Sequence, residues 1–215
     1  MFGKHMSTGG QGGAVFTKSE EIYWNIRRVA DRGKPFNLPA GSTNVIPALN
    51  CNMDELHAVI GRVQLKKLPD IVARRDALVK LLIKKGMNQL KAIKIPEVPK
   101  WANHCYWWWK LRIDSAALKV NRNDFCAALI AEGLQINPSY RAALPATFTW
   151  FQNRAEKFPW NAPQYKGNPK QEFPCPNADK NMEDHFILPI FESWGEVEAE
   201  AILNAMRKVE AELTK

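Results

Sequence analysis

The 215-residue sequence predicts an α/β or α+β fold on three observations. Segments with apolar residues every three or four positions alternate with short β-branched and aromatic runs, glycine and proline mark the joins, and the C-terminal stretch is strongly amphipathic. A composition of 46% hydrophobic and 24% charged residues is that of a globular chain and excludes a disordered or collagen-like one.

The first element is a β-prone run, Ala14-Val15-Phe16-Thr17, entered directly from the glycine cluster Gly9-Gly10-Gln11-Gly12-Gly13. So short a strand can neither satisfy its backbone groups nor bury both faces alone. It therefore predicts a sheet whose other strands lie elsewhere, and a chain that is a C-terminal fragment. Ser19 followed by Glu21-Ile22 reads as a helix start, with Ile22, Ile26 and Val29 in period until Gly33-Lys34-Pro35 stops it. Residues 35–47, rich in Pro, Gly, Ser and Asn, read as a loop. A second helix begins near Asp54 with Leu56, Val59, Ile60, Val63 and Leu65 on one stripe. Pro69 lies inside that pattern, where its missing N–H and its ring predict a kink or a division before residues 71–85 resume. Gly86 is the expected C-terminal cap.

Beyond Gly86 the period changes. Ala92 to Ile95 alternates, and Cys105 to Ile113 is aromatic and β-branched over a strand's length, which predicts two strands of one sheet. Asn123-Asp124 is the expected cap of a helix carrying Phe125, Leu129 and Ile130, ended by Gly133. The proline-rich region from Pro138 to Pro176 predicts an extended loop. Ile187 to Ile190 reads as a short strand, and Glu196 to Leu213 as a terminal helix with Ala201, Ile202, Ala205, Met206 and Val209 inward.

The net charge of +8 is spread along the chain with no block of like charge. Basic residues mixed with acidic ones predict a solvated surface that attracts anionic small molecules, with no nucleic-acid partner. No stretch approaches the roughly 20 apolar residues that span a bilayer. Met1-Phe2-Gly3-Lys4-His5 has neither the apolar core nor the cleavage site of a signal peptide, so the expected setting is cytoplasmic, with no membrane partner. Cys51, Cys105, Cys126 and Cys175 form no CxxC pair, and they predict reduced thiols and no metal site.

Consecutive glycines let a chain turn tightly and approach a ligand or another backbone closely. The cluster at residues 9–13 is neither a GxxxxGK[ST] loop nor a dinucleotide fingerprint, because its β-prone run follows the glycines. Lys4, just upstream in a stretch with few charges, has a setting in which an amine can be desolvated and made nucleophilic towards an aldehyde.

The run Gly3-Lys4-His5-Met6-Ser7-Thr8-Gly9-Gly10-Gln11-Gly12-Gly13-Ala14-Val15 resembles the lysine segment of the DegT/DnrJ/EryC1/StrS aminotransferases. Asn50 to Gly61, with Gln64-Leu65 and Arg74-Arg75, is similar to that family's asparagine loop and following helix, and Pro176-Asn177-Ala178 with Leu188-Pro189-Ile190 is similar to its closing segment. The resemblance spans nearly the whole chain. It implies the C-terminal part of a type I PLP-dependent aminotransferase fold: residues 1–50 as the end of a large cofactor-binding domain, 51–90 as a connecting long, kinked helix, and 91–215 as a small α/β domain. The activity implied is transfer of an amino group from an amino acid such as glutamate to a keto sugar, nucleotide-linked, by a homodimer using pyridoxal 5'-phosphate.

By the same resemblance Lys4 carries the cofactor and then acts as general acid/base. Asn50 reaches the cofactor phosphate of the neighbouring subunit, and Tyr140 contacts substrate. The sequence departs from the family pattern at Gln11, between two glycine pairs, and at Cys51 and Asn52, where an aromatic residue and an arginine are usual. Two rival readings remain open at this point: a non-catalytic dimerisation or ligand-binding module, and a PLP-dependent sugar dehydratase relative, which Lys4 argues against because such relatives replace the lysine by histidine. Trp107-Trp108-Trp109 read as core and interface filling, His104 and His185 as structural, and His57 carries no assignment.

Overall fold

A computed structural model describes residues 9–10, 12–140, 144–145, 148, 151, 159–168 and 171–215. The chain divides into two compact units, residues 1–72 and 73–215.

In the first unit Ala14 to Thr17 is not paired as a strand, and Val15 and Phe16 are exposed. Helix α1 covers Glu20–Ala30, and its N-cap Ser19 accepts from the Ile22 N–H at 3.3 Å. The acidic Glu20 and Glu21 in its first turn and the basic Arg27 and Arg28 in its last complement the helix dipole. Gly33, at φ +74°, then turns the chain so closely that a Cβ would lie 1.8 Å from the Ile46 carbonyl oxygen, which only glycine permits. The loop is fastened by Arg32 N–H to Leu49 O at 3.0 Å, Val45 N–H to Gly33 O at 2.8 Å and Cys51 N–H to Ala30 O at 2.8 Å. These bonds bring Asp31 opposite Asn50 in an antiparallel bridge.

Helix α2 runs unbroken over Glu55–Lys84 and carries Pro69 inside it. Of the kink or division expected at Pro69, the division does not occur. Both Pro69 and Leu65, whose carbonyl loses its partner, are exposed, so water can satisfy the freed group. Its early apolar residues Leu56, Val59, Ile60 and Val63 are exposed, whereas Leu78, Val79 and Leu82 are buried.

The second unit contains a three-stranded antiparallel sheet in the order β1 (Ile93–Lys94), β2 (Trp108–Ile113), β3 (His185–Pro189). The ladders pair Ile93 with Ile113 and Leu111 with Phe186. On β2, Trp109, Leu111 and Ile113 are buried, which leaves Lys110 and Arg112 on the exposed face, the period-2 pattern of a sheet with one face on the core. The β2 ladder starts later than the aromatic run suggests. Tyr106 has φ +46°, its N–H donates to His104 Nδ1 at 2.8 Å, and its ring stacks on His104 at 4.3 Å. A left-handed residue whose donor is already taken cannot extend the ladder.

Helix α3 (Arg122–Ala131) is capped two residues earlier than expected, by Asn121, which accepts from the Asp124 N–H at 3.0 Å while its Nδ2 donates to Asp124 Oδ2 at 2.6 Å. Helix α4 (Pro176–Glu183) opens on proline and buries only Met182. Helix α5 covers Glu196–Leu213, the span its periodicity predicts, and buries Ile202, Leu203, Met206 and Val209. Together with Leu82, Phe125 and Leu129 these residues form one core. The buried Glu210 carboxylate accepts from the N–H groups of Lys91, Ala92 and Ile93 at 2.7, 2.7 and 3.0 Å, and so caps the entry to β1. Arg75, also buried, holds Glu192 through Nε and Nη2 at 2.9 and 2.6 Å.

Candidate functional site

Lys4 lies outside the described residues. Asn50 belongs to the first unit and Tyr140 to the second.

Asn50 is exposed at the end of the fastened loop, where its Oδ1 accepts from the backbone and side-chain N–H groups of Asn52 at 3.3 and 3.0 Å. This orients the amide, so that its Nδ2 makes no hydrogen bond among the described residues. Across the bridge, Asp31 is buried and pairs with Lys34 at 2.8 Å and Arg32 at 2.7 Å. Lys34 foremost, then Arg32 and Asn52, hold its carboxyl down at about 2. Around Asn50 the acidic charge is thus already neutralised, and a neutral amide with N–H donors suits a phosphate oxygen. On this chemistry Asn50 fits the anionic end of a pyridoxal phosphate.

The described part of the glycine cluster meets the start of α2. Gly9 has φ +79°, and a Cβ there would lie 3.0 Å from Ile60 Cδ1. A Cβ at Gly10 would lie 2.4 Å from His57 Nε2. His57 in turn pairs through Nδ1 with Asp54 Oδ2 at 2.5 Å, while Asp54 Oδ1 accepts the His57 backbone N–H at 2.9 Å and so caps the helix. The backbone N–H of His57, and then its ring, hold the Asp54 carboxyl below the usual range. Nothing in the sequence assigns a role to His57. The cluster's local signal is an N-cap aspartate with a histidine three residues on, but the contact with Gly10 is remote along the chain and no spacing rule shows it.

In the second unit Tyr140 is half-buried, its ring edge-on to Trp108 at 4.6 Å. Trp108 stacks in turn on Trp107 at 4.1 Å, and Trp109 is buried in the core. The aromatic run therefore fills the core at one position and forms a half-buried ladder at the other two. His185 is buried with its Nδ1 bonded to the Asn181 carbonyl, and burial pushes its imidazole towards the neutral form. Among the described residues no three His, Cys, Asp or Glu side chains converge on a common point, and no helix is long and apolar enough to cross a membrane.

A model of the DegT/DnrJ/EryC1/StrS aminotransferase family matches residues 2–207. The uncharacterized protein MJ1066 of Methanocaldococcus jannaschii is 26% identical over 224 residues, covering 95% of this chain and 51% of that protein. Among solved structures, the fold matches the sugar aminotransferase CalS13 of Micromonospora echinospora with a TM-score of 0.72 at 14% identity, covering 95% of this chain and 49% of that one. It matches the sugar aminotransferase candidate Spr1654 of Streptococcus pneumoniae, in its PLP form, with a TM-score of 0.64 at 20% identity, covering 93% and 46%. The chain thus spans about half the length of the relatives it matches. Since the family match runs over residues 2–207, nearly the whole chain, the chain belongs to the DegT/DnrJ/EryC1/StrS aminotransferase family.

Proposed function

We propose that this chain forms part of a PLP-dependent aminotransferase that moves an amino group from an amino acid such as glutamate to a keto sugar carried on a nucleotide. The observation that carries this reading is the reach of the family match, which begins at residue 2 and so takes in Lys4, the glycine turn and Asn50. Spr1654, a relative in fold solved in its PLP form, supports the choice of cofactor.

In this reading Lys4 would hold the cofactor through its amine, and the same amine would hold and move a proton at the substrate carbon. It can do so only where its surroundings favour the neutral amine. Asn50 would donate from Nδ2 to the phosphate held by a second copy of the chain, so that the working unit would be a homodimer. Tyr140 offers its ring and hydroxyl to the sugar substrate. Bound pyridoxal phosphate supplies the electron sink, while the protein supplies attachment, orientation and proton transfer. The working place is the cytoplasm.

The test is borohydride trapping on the full chain. After brief exposure to low pyridoxal phosphate, reduction followed by peptide mapping is expected to place the label on Lys4 ahead of other lysines, and Lys4→Ala is expected to lose it. A label spread evenly over surface lysines, or one unchanged in Lys4→Ala, removes Lys4 from the reaction. The self-contained core of the second unit favours one other reading, a dimerisation or ligand-binding module, for which the trapping result is negative while the chain is a stable dimer with or without cofactor.

A further inference from the structure

His57 is the side chain that the glycine turn most directly accommodates. The three atoms nearest to a Cβ built on Gly10 all belong to its ring: Nε2 at 2.4 Å, Cδ2 at 3.0 Å and Cε1 at 3.5 Å. Such a clash is cheap to relieve when the neighbour is the free end of a flexible chain, but this ring is tied back to Asp54 at 2.5 Å. Ile60, one helical turn further along α2 on the same face, closes on Gly9 in the same way. An ionised carboxylate only accepts, so Nδ1 must donate to Asp54; in the neutral ring the Nε2 facing the glycine turn is then an acceptor. Asp54 thereby fixes both the orientation of the ring and its tautomer, and it does so from the helix N-cap, where its other oxygen is already anchored.

We propose that His57, oriented by Asp54, is a positioning residue that seats the Gly9-Gly10 turn on α2. The inference rests on the reading of Lys4 as the cofactor lysine only for its functional meaning. The seating itself is a property of residues 9, 10, 54, 57 and 60.

The test is a double-mutant cycle read by amide hydrogen exchange on the full chain. His57→Ala is expected to speed exchange of a peptide covering the glycine turn by about tenfold, while amides of β2 and β3 keep their protection and report that the second unit is folded. Gly10→Ala is expected to do the same when His57 is present. In the His57→Ala background it should add nothing, because the atoms it strikes are gone and its backbone is not left-handed. His57→Gln, a planar polar side chain of similar reach, should restore most of the protection. Asp54→Asn, which still caps the helix, should shift the ring to the other tautomer in nitrogen NMR. Additive effects of Gly10→Ala and His57→Ala, or unaltered exchange in His57→Ala, overturn the proposal. Borohydride trapping at Lys4 in the same variants separates the two ideas: a seated turn with no label at Lys4 defeats the cofactor reading and leaves the seating intact, whereas a label at Lys4 with additive mutants does the reverse.

Discussion

The two halves of helix α2 carry similar apolar residues and meet opposite fates. Leu56, Val59, Ile60 and Val63 stand in the first unit and are exposed, while Leu78, Val79 and Leu82 stand in the second and are buried. The contrast extends to the units themselves. Among the described residues of the first, only Asp31 and Gly33 are buried, whereas the second closes a single core of two dozen apolar side chains around its antiparallel sheet. An amphipathic stripe declares that a face is built to be covered but does not say by what. The second unit supplies its own cover. The first is held instead by backbone hydrogen bonds, ion pairs and glycine contacts, an arrangement that orients polar groups and buries little apolar surface.

The largest expected effect is in the second core. Phe125 is 0% exposed, and Phe125→Ala should destabilise the second unit by about 3–5 kcal/mol in denaturant titration, whereas Leu56→Ala, at a side chain 78% exposed, should stay within about 0.5 kcal/mol. Equal costs would erase the distinction between the units. Next comes the buried carboxylate at the entry to β1. Glu210→Ala removes the acceptor from three backbone N–H groups and should cost about 2–4 kcal/mol, with loss of protection at Ala92 and Ile93 in hydrogen exchange. A smaller loss is expected at the junction of α2 with the loop after β3. Glu192→Ala leaves the buried Arg75 guanidinium without its carboxylate and should cost about 1–2 kcal/mol, less than a fully enclosed pair because Glu192 is partly exposed.

The smallest effect is in the first unit and depends on pH. The Asp31 carboxyl titrates lower in the folded chain than in the unfolded one, so its contribution is complete above the unfolded value of roughly 4 and fades as pH falls towards about 2. Carboxyl NMR should follow Asp31 through that window. Lys34→Ala should raise its midpoint more than Arg32→Ala, since Lys34 is the foremost of its partners. An Asp31 that titrates like a free carboxylate would show that the fastened loop is open in solution.

Much of this architecture was legible in the sequence where the signal is local. Ser19, the heptad-like run of α5 and the glycine at position 86 each place an element boundary through one cap or one period. Helix α4 leaves no such signal, because a short polar helix with one buried methionine has no period to read. The start of β2 lies later than its aromatic run suggests because Tyr106 turns left-handed, its donor drawn off by His104 and its carbonyl reached by Arg75, which lies far away along the chain. The candidate site divides in the same way. Lys4, Asn50 and Tyr140 came from resemblance, while His57 required knowing that α2 returns to the glycine turn, a fact of tertiary structure.

Residue-resolved hydrogen exchange across the whole chain at neutral pH tests the contrast between the units most directly. Two tiers are predicted: amides of β2, β3 and α5 exchange only through global opening of the second unit, and those of α1 and of residues 55–72 exchange at least about a hundredfold faster through local opening. A single tier, with α1 as protected as β2, would contradict the account.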